Sequence, residues 1–134
     1  MHEVLNSWSP RVLSVLRIIT GFLFLWHGSQ KLFQFPPPPP QMAGPLTAFT
    51  IFAGILEFGG GILILLGLFT RWTAFILSGM MAVAYWMVHG TNGKGFLPLM
   101  NGGELAVIYC FVFLYFFFAG GGPWSLDSLI KKNS

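Results

Sequence analysis

The sequence predicts an all-α integral membrane protein: a four-helix bundle with both termini in the cytoplasm and a short interfacial helix at the C-terminal end. Three observations carry that prediction. Of 134 residues, 54% are hydrophobic and 17% aromatic, while only 8% are charged, against about 25% charged in an ordinary soluble domain. Seven Lys and Arg with four Asp and Glu cannot keep the surface of so small a globule hydrated, and a chain this rich in Phe, Leu and Trp is not disordered. Apolar windows of about 20 residues, enough to cross about 30 Å of hydrocarbon as a helix, occur four times. The resulting topology puts Arg11, Arg17, Arg71, Lys131 and Lys132 on one side and Lys31 and Lys94 on the other. That asymmetry places the termini in the cytoplasm.

The first span covers residues 12–35. The proline loop 36–45 follows, opening on Pro36 to Pro40, a run that cannot continue a helix and is expected to stand as polyproline II, about 15 Å long. The second span, 46–69, and the third, 72–89, are separated only by Thr70 and Arg71, which predicts a tight antiparallel hairpin. The third enters a loop of turn formers from His89 to Gly95. The fourth, 105–122, ends at Gly120-Gly121-Gly122-Pro123, and Trp124 to Lys132 reads as an amphipathic segment at headgroup depth. The whole is a single transmembrane domain without internal repeats. The first span is too long for a removable signal peptide and lacks a small-residue cleavage site. The lone cysteine, Cys110, excludes an internal disulfide or dithiol pair, and the small positive charge argues for no nucleic-acid partner.

Ionisable groups inside a span cost at least about 2.5 kcal/mol each, so each needs a partner or a wet cavity. They recur here at helical spacing: Arg17, Gly21, Phe24, Gly28 and Lys31 in the first span, with His27 beside them; Thr50, Gly54, Glu57, Gly61 and Leu65 in the second; Arg71, Ser78, Ala82, Tyr85 and His89 in the third; Asn101, Glu104, Ile108, Phe111 and Tyr115 in the fourth. Spacings of three and four keep side chains on one face, so the stripes are expected to face one another. The candidate ligand-binding residues are therefore His27, Lys31, Glu57, Tyr85, His89, Asn101 and Glu104. Glu57, near mid-membrane, needs a counter-ion if it is charged, and Arg17 or His27 is the candidate. Plainer roles stand beside these. Asn101 and Glu104 have the spacing of a capping box, Lys31 can snorkel to headgroups, His89 can bind water or a carbonyl, and Arg17 can anchor an interface. Gly54, Gly59, Gly60 and Gly61 fit close helix packing in a bilayer. A metal site built from His27, Glu57, His89 and Glu104 is not predicted, because Glu-x-x-His is absent and the depths differ.

The stretches Arg17-Ile-x-x-Gly-x-x-Phe-x-x-His27-Gly-x-x-Lys31-Leu-Phe, Ala53-Gly-x-Leu-Glu57-x-Gly-Gly, Gly67-Leu-Phe-Thr-Arg71, Ala84-Tyr-x-x-x-His89-Gly, Asn101-Gly-Gly-Glu104-Leu-Ala and Gly122-Pro-Trp-Ser-Leu-Asp127 together resemble the DoxX family of small bacterial membrane proteins. The likeness covers residues 11–127, and several linked motifs in order make it specific. It implies a four-helix bundle of the bacterial inner membrane. The family in turn resembles the large subunit of archaeal thiosulfate:quinone oxidoreductase, and some members are linked to thiol and oxidative-stress systems. The five-proline loop departs from the family pattern.

Two functional readings follow. In the first, implied by the resemblance, the chain is a quinone-linked redox or accessory subunit whose polar pocket holds a quinone headgroup. His27 or His89 then donates to a carbonyl oxygen and Glu57 or Glu104 handles protons. With one cysteine and no flavin or haem motif, electrons must arrive from a second subunit or a soluble donor. In the second, the chain is a non-enzymatic structural or assembly subunit of a larger membrane complex or a homo-oligomer, and the polar cluster fixes helix register. Both readings put its partners in the lipid bilayer: other membrane subunits or a second copy.

Overall fold

A computed structural model describes residues 1–40, 46–90 and 93–132, apart from the Lys132 side chain. Among these the protein is all-helical, with no strand: α1 His2–Phe33, α2 Ala48–Leu66, α3 Thr70–Ala84 continued by a π-helical turn Tyr85–His89, α4 Pro98–Asn101, α5 Glu104–Ala119 and α6 Leu126–Lys132. Three segments are long and apolar enough to cross a membrane: His2–Phe33, Ala48–Leu66 and Thr70–His89. The expected fourth span is apolar but its helix has 16 residues, about 24 Å long at about 1.5 Å per residue. The glycines shorten it, since Gly120 and Gly122 both take φ near 81°, where a helix stops.

Helix α1 begins ten residues before the expected span. A hydropathy window sees only the apolar stretch, whereas a nucleated helix extends at little cost, here through the interior Pro10. All of residues 1–10 are exposed, and the Arg11 guanidinium stacks 4.6 Å from the Trp8 ring. At its other end α1 stops at Phe33, with Gln34 left-handed and its N–H bonded to the Gln30 carbonyl; the next residue, Phe35, directly precedes Pro36 and is pushed out of the helical region. Ser29 Oγ donates to the Phe35 carbonyl at 2.5 Å, fixing the exit. Residues 36–40 form no α-helix; the rest of the expected proline loop, 41–45, and Thr91 and Asn92 lie outside the described residues. Helix α2 starts at a Thr47 cap whose side chain accepts from Thr50 N–H and closes on left-handed Gly67.

The chain falls into two compact units, 1–70 with 121–134, and 71–120. In the first, α1 and α2 pack backbone to backbone. A Cβ on Gly28 would lie 2.3 Å from the Phe58 nitrogen, one on Gly21 2.5 Å from the Leu65 nitrogen, and one on Gly61 2.8 Å from Leu25 Cα. In lipid, which offers apolar groups no reason to leave it, such close approach is what holds two helices together.

The C-terminal segment closes this unit at the opposite end of α1 from the prolines. Ser14 Oγ donates to the Gly121 carbonyl and accepts from Trp124 N–H, and the Asp127 N–H donates to the Gly67 carbonyl. The Asp127 carboxylate accepts from Phe69 N–H and Thr70 N–H, both at 2.8 Å. An acid 57 residues away thus caps the start of α3, and it does so beside Phe69, a bulky residue held at φ 52°.

In the second unit Ala74, Leu77, Met81, Tyr85, Ala106, Tyr109, Phe113 and Phe116 are buried. Exposed Arg71 donates to the Phe117 and Phe118 carbonyls at the end of α5, satisfying acceptors that the helix leaves open. The stripe expected on the fourth span is corrected here. Glu104, Ile108, Phe111 and Tyr115 are exposed, and the buried face of α5 is Ala106, Tyr109, Phe113 and Phe116.

Candidate functional site

In the first unit, the Gly28 and Gly54 surfaces let α1 and α2 approach closely enough for side chains one turn away to meet. Lys31 Nζ lies 2.7 Å from both Oε1 and Oε2 of Glu57. Glu57 is only 4% exposed, whereas the Lys31 side chain is 36% exposed, so the pair runs from a buried acid to a base at the edge. Half-buried His27 stands one turn below Lys31 on the same face, within electrostatic reach of both Glu57 and Lys31. Its ring lies 6.4 Å from that of Phe24.

The expected pairing of Glu57 with Arg17 is corrected. Side chains on a helix lean toward its N-terminus, so Lys31 reaches back to the level of Glu57 while Arg17 sits about 21 Å further along the axis. Arg17, fully buried, gives its donors to backbone instead: one terminal nitrogen to the Ile64 and Leu65 carbonyls at 3.3 Å, the other to the Trp124 carbonyl at 2.6 Å. Sequence reasoning missed this role. The signal was the motif from Gly122 to Asp127, which supplies the segment that Arg17 holds.

In the second unit Tyr85, His89 and Asn101 come together. The Tyr85 hydroxyl donates to the Phe96 carbonyl. The Asn101 amide donates to Tyr85 Oη at 3.2 Å and to the Gly95 carbonyl at 3.1 Å, and its oxygen accepts from Gly103 N–H at 2.9 Å. His89 Nδ1 lies 3.3 Å from the Asn101 carbonyl. Tyr85 and His89 bound the π-helical turn, closed by Gly90 N–H on the Tyr85 carbonyl at 2.7 Å; such turns recur at functional sites. Glu104 stands apart from these three. Among the described residues no side chain caps α5, so the reciprocal capping box expected of Asn101 and Glu104 does not form there. Asn101 bonds Gly103 N–H, and exposed Glu104 borders a shallow groove with Pro98, Leu99, Gly102, Leu105 and Ile108.

Apolar helices of crossing length with ion-paired and hydrogen-bonded groups buried inside them define a polytopic helical membrane protein. The chain belongs to the DoxX family, whose model matches residues 12–90. An uncharacterized protein of Haemophilus influenzae is 44% identical over 132 residues, spanning 96% of this chain and 98% of that one. The inner membrane protein YqjF of Escherichia coli is 31% identical over 121 residues, 89% of this chain and 92% of the relative. The uncharacterized membrane protein Rv3486 of Mycobacterium tuberculosis is 27% identical over 152 aligned positions, 98% and 89% of the two chains. No solved structure matches.

Proposed function

We propose that the protein is a quinone-linked redox or accessory subunit of the bacterial inner membrane, with four membrane crossings, both termini in the cytoplasm, and Lys31, Glu57 and His27 as the place where a quinone headgroup docks. The observation that carries this is the lopsided ion pair, an acid sealed between helices and a base that reaches the boundary. A quinone ring needs N–H or O–H donors for its carbonyl oxygens. An ammonium has three N–H groups, and Lys31 turns only one face to Glu57, which leaves an N–H for a carbonyl oxygen; half-buried His27 stands one turn deeper on the same face. These residues fit the group. Bound there, quinone would accept electrons delivered by a partner. Lys31 orients the carbonyl oxygen, and Glu57 takes and returns a proton at its carboxylate. The inner-membrane placement is supported by the name of the Escherichia coli relative. For α5 to cross, the bilayer thins locally or the Gly120 to Gly122 stretch completes the path, as short spans require.

A structural subunit is the second reading, and a specific feature favours it. Both Glu57 oxygens are engaged at 2.7 Å, which suits a lock on helix register. Purified protein in lipid nanodiscs, titrated with a short-chain ubiquinone and menaquinone analogue, separates the two. Saturable binding that Lys31→Met and Glu57→Gln each weaken at least tenfold, without loss of the folded helix signal, supports the quinone site. Absence of binding, or binding that both variants leave unchanged, leaves the register lock.

A further inference from the structure

Helix α1 has two long faces, and the chain itself covers only one of them. Ser14, Arg17, Gly21, Phe24 and Gly28 are buried, on the side that meets α2 and the C-terminal segment. Half a turn away, Leu5, Trp8, Val12, Val15, Ile19 and Phe22 form a row in which every member is between 46% and 60% exposed. Its steps alternate between three and four residues, a heptad repeat with Leu5, Val12 and Ile19 at position a and Trp8, Val15 and Phe22 at position d. That 3.5-residue period is the one by which a helix packs along its length on a second helix. No polar residue interrupts the row, and Pro10 falls at position f, on the far side of the helix from it. Side chains in lipid need no cover, but this row does not lie wholly in lipid. At about 1.5 Å per residue the 32 residues of α1 run about 48 Å against about 30 Å of hydrocarbon, and even a tilt of about 40° leaves part of the helix outside. Its polar end is the first, where His2, Glu3, Asn6, Ser7, Ser9 and Arg11 surround Leu5 and Trp8. There the seam leaves the hydrocarbon, and covering it becomes favourable.

We infer that a second copy of this chain occupies the seam, α1 against α1, parallel and in register. Copies of one sequence insert with one orientation, so a twofold axis along the membrane normal sets each residue of the row beside its own counterpart. A heptad row is self-complementary under that operation, and β-branched Val12 and Ile19 at position a favour two parallel strands. With Val4, Leu16 and Leu23, exposed beside it, the row offers an area on the order of the ~800 Å² that a standard interface takes from each partner. Pairing brings no like charges into the seam, since the row carries none and the Arg11 guanidinium is drawn onto its own Trp8 ring, 4.6 Å away. Lys31 lies on the opposite side of α1, so a dimer of this kind leaves the Lys31–Glu57 pair uncovered and accommodates either a quinone site or a register lock there.

Disulfide trapping in phosphatidylcholine vesicles tests the pairing, with Cys110→Ser as the background. Single cysteines are placed on the seam, as Leu5→Cys, Trp8→Cys and Val12→Cys, and off it, as Asn6→Cys and Ser7→Cys; all five positions are exposed. Oxidation with copper phenanthroline is expected to give at least tenfold more covalent dimer at the three seam positions than at Asn6 or Ser7, because only a parallel, in-register pair brings each of the three beside itself. The yield is expected to hold when the lipid-to-protein ratio is raised tenfold. Adding Leu5→Glu is expected to lower trapping through Val12→Cys at least fivefold while the helical signal stays unchanged, since Leu5 is 60% exposed and supports little of the fold. Trapping that is absent at the seam, equal at all five positions, or unmoved by Leu5→Glu overturns the proposal, as does a yield that falls in step with dilution in lipid. Should the cysteine variants lose their helical signal, sedimentation of the unaltered protein in detergent decides: a dimer mass is expected, and a monomer at every concentration overturns the pairing.

Discussion

Lys31 and Arg17 project from the same face of α1, and the two ends of that helix treat a cation in opposite ways. At the Lys31 end the charge meets another side chain, Glu57, and the pair keeps an exposed edge. At the Arg17 end the charge is fully enclosed and meets three backbone carbonyls drawn from two segments far apart in sequence. A planar guanidinium with five donors can knit several carbonyls at once, which a compact ammonium cannot. The difference separates a joint that ties two segments of the unit together from a pair that runs from a buried acid to an exposed edge.

The sharpest way to break the contrast is at Arg17. Arg17→Ala strands the Ile64, Leu65 and Trp124 carbonyls and opens a cavity among buried residues, and is expected to destabilise by about 3 to 5 kcal/mol. Arg17→Lys keeps the charge but not the fork, and recovers only part of that. Reversible unfolding in mixed micelles measures both. A cost below about 1 kcal/mol for the alanine variant, within the range of a single ordinary hydrogen bond, would show that the enclosure does not depend on the guanidinium.

At the other end the prediction is an asymmetry. Lys31→Met leaves the Glu57 carboxylate buried without its cation and is expected to cost about 2 to 3 kcal/mol. Glu57→Gln leaves an ammonium that can swing to the boundary, and is expected to cost about 1 kcal/mol. Replacing both, as Lys31→Met with Glu57→Leu, is expected to return stability close to that of the intact protein, since a buried pair often exchanges for apolar groups at little net cost. On the proposed reading, the double variant is expected not to bind the quinone analogue. Equal costs for the two single changes would remove the contrast between a sealed acid and a boundary base.

Much of this was legible in the sequence. The stripe of Arg17, Gly21, Phe24 and Gly28 is buried in α1, as is that of Gly54, Glu57 and Gly61 in α2, because polar and small residues stand out against an apolar background at helical spacing. On α5 the same reasoning failed. That helix is apolar nearly all round, from Leu105 to Phe118, so no periodicity marks its inner face, and the one acid at its start, Glu104, set the stripe on the exposed side. The partner of Glu57 was missed because depth was reckoned from the backbone rather than from where a leaning lysine carries its charge. The Asp127 cap spans 57 residues, and no local pattern encodes a contact across that distance.

The last comparison lies inside the second unit, between the two residues that one motif places three apart. Asn101 is buried and hydrogen-bonds Tyr85, Gly95 and Gly103, while Glu104 is exposed and, among the described residues, no side-chain bond caps its helix start. Asn101→Ala removes a hub that ties the loop before α5 to the π-helical turn, and is expected to cost about 1 to 2 kcal/mol. Glu104→Gln is expected to change stability by less than about 0.5 kcal/mol, the usual range for an exposed position. Hydrogen exchange gives the finer reading. Protection of the Gly103 and Gly90 amides should fall in Asn101→Ala and stay unchanged in Glu104→Gln, since only the first loses the side chain that orders both. If instead Glu104→Gln loosened those amides, its carboxylate would have to reach the loop, and the division of the motif into a structural asparagine and a surface acid would fail.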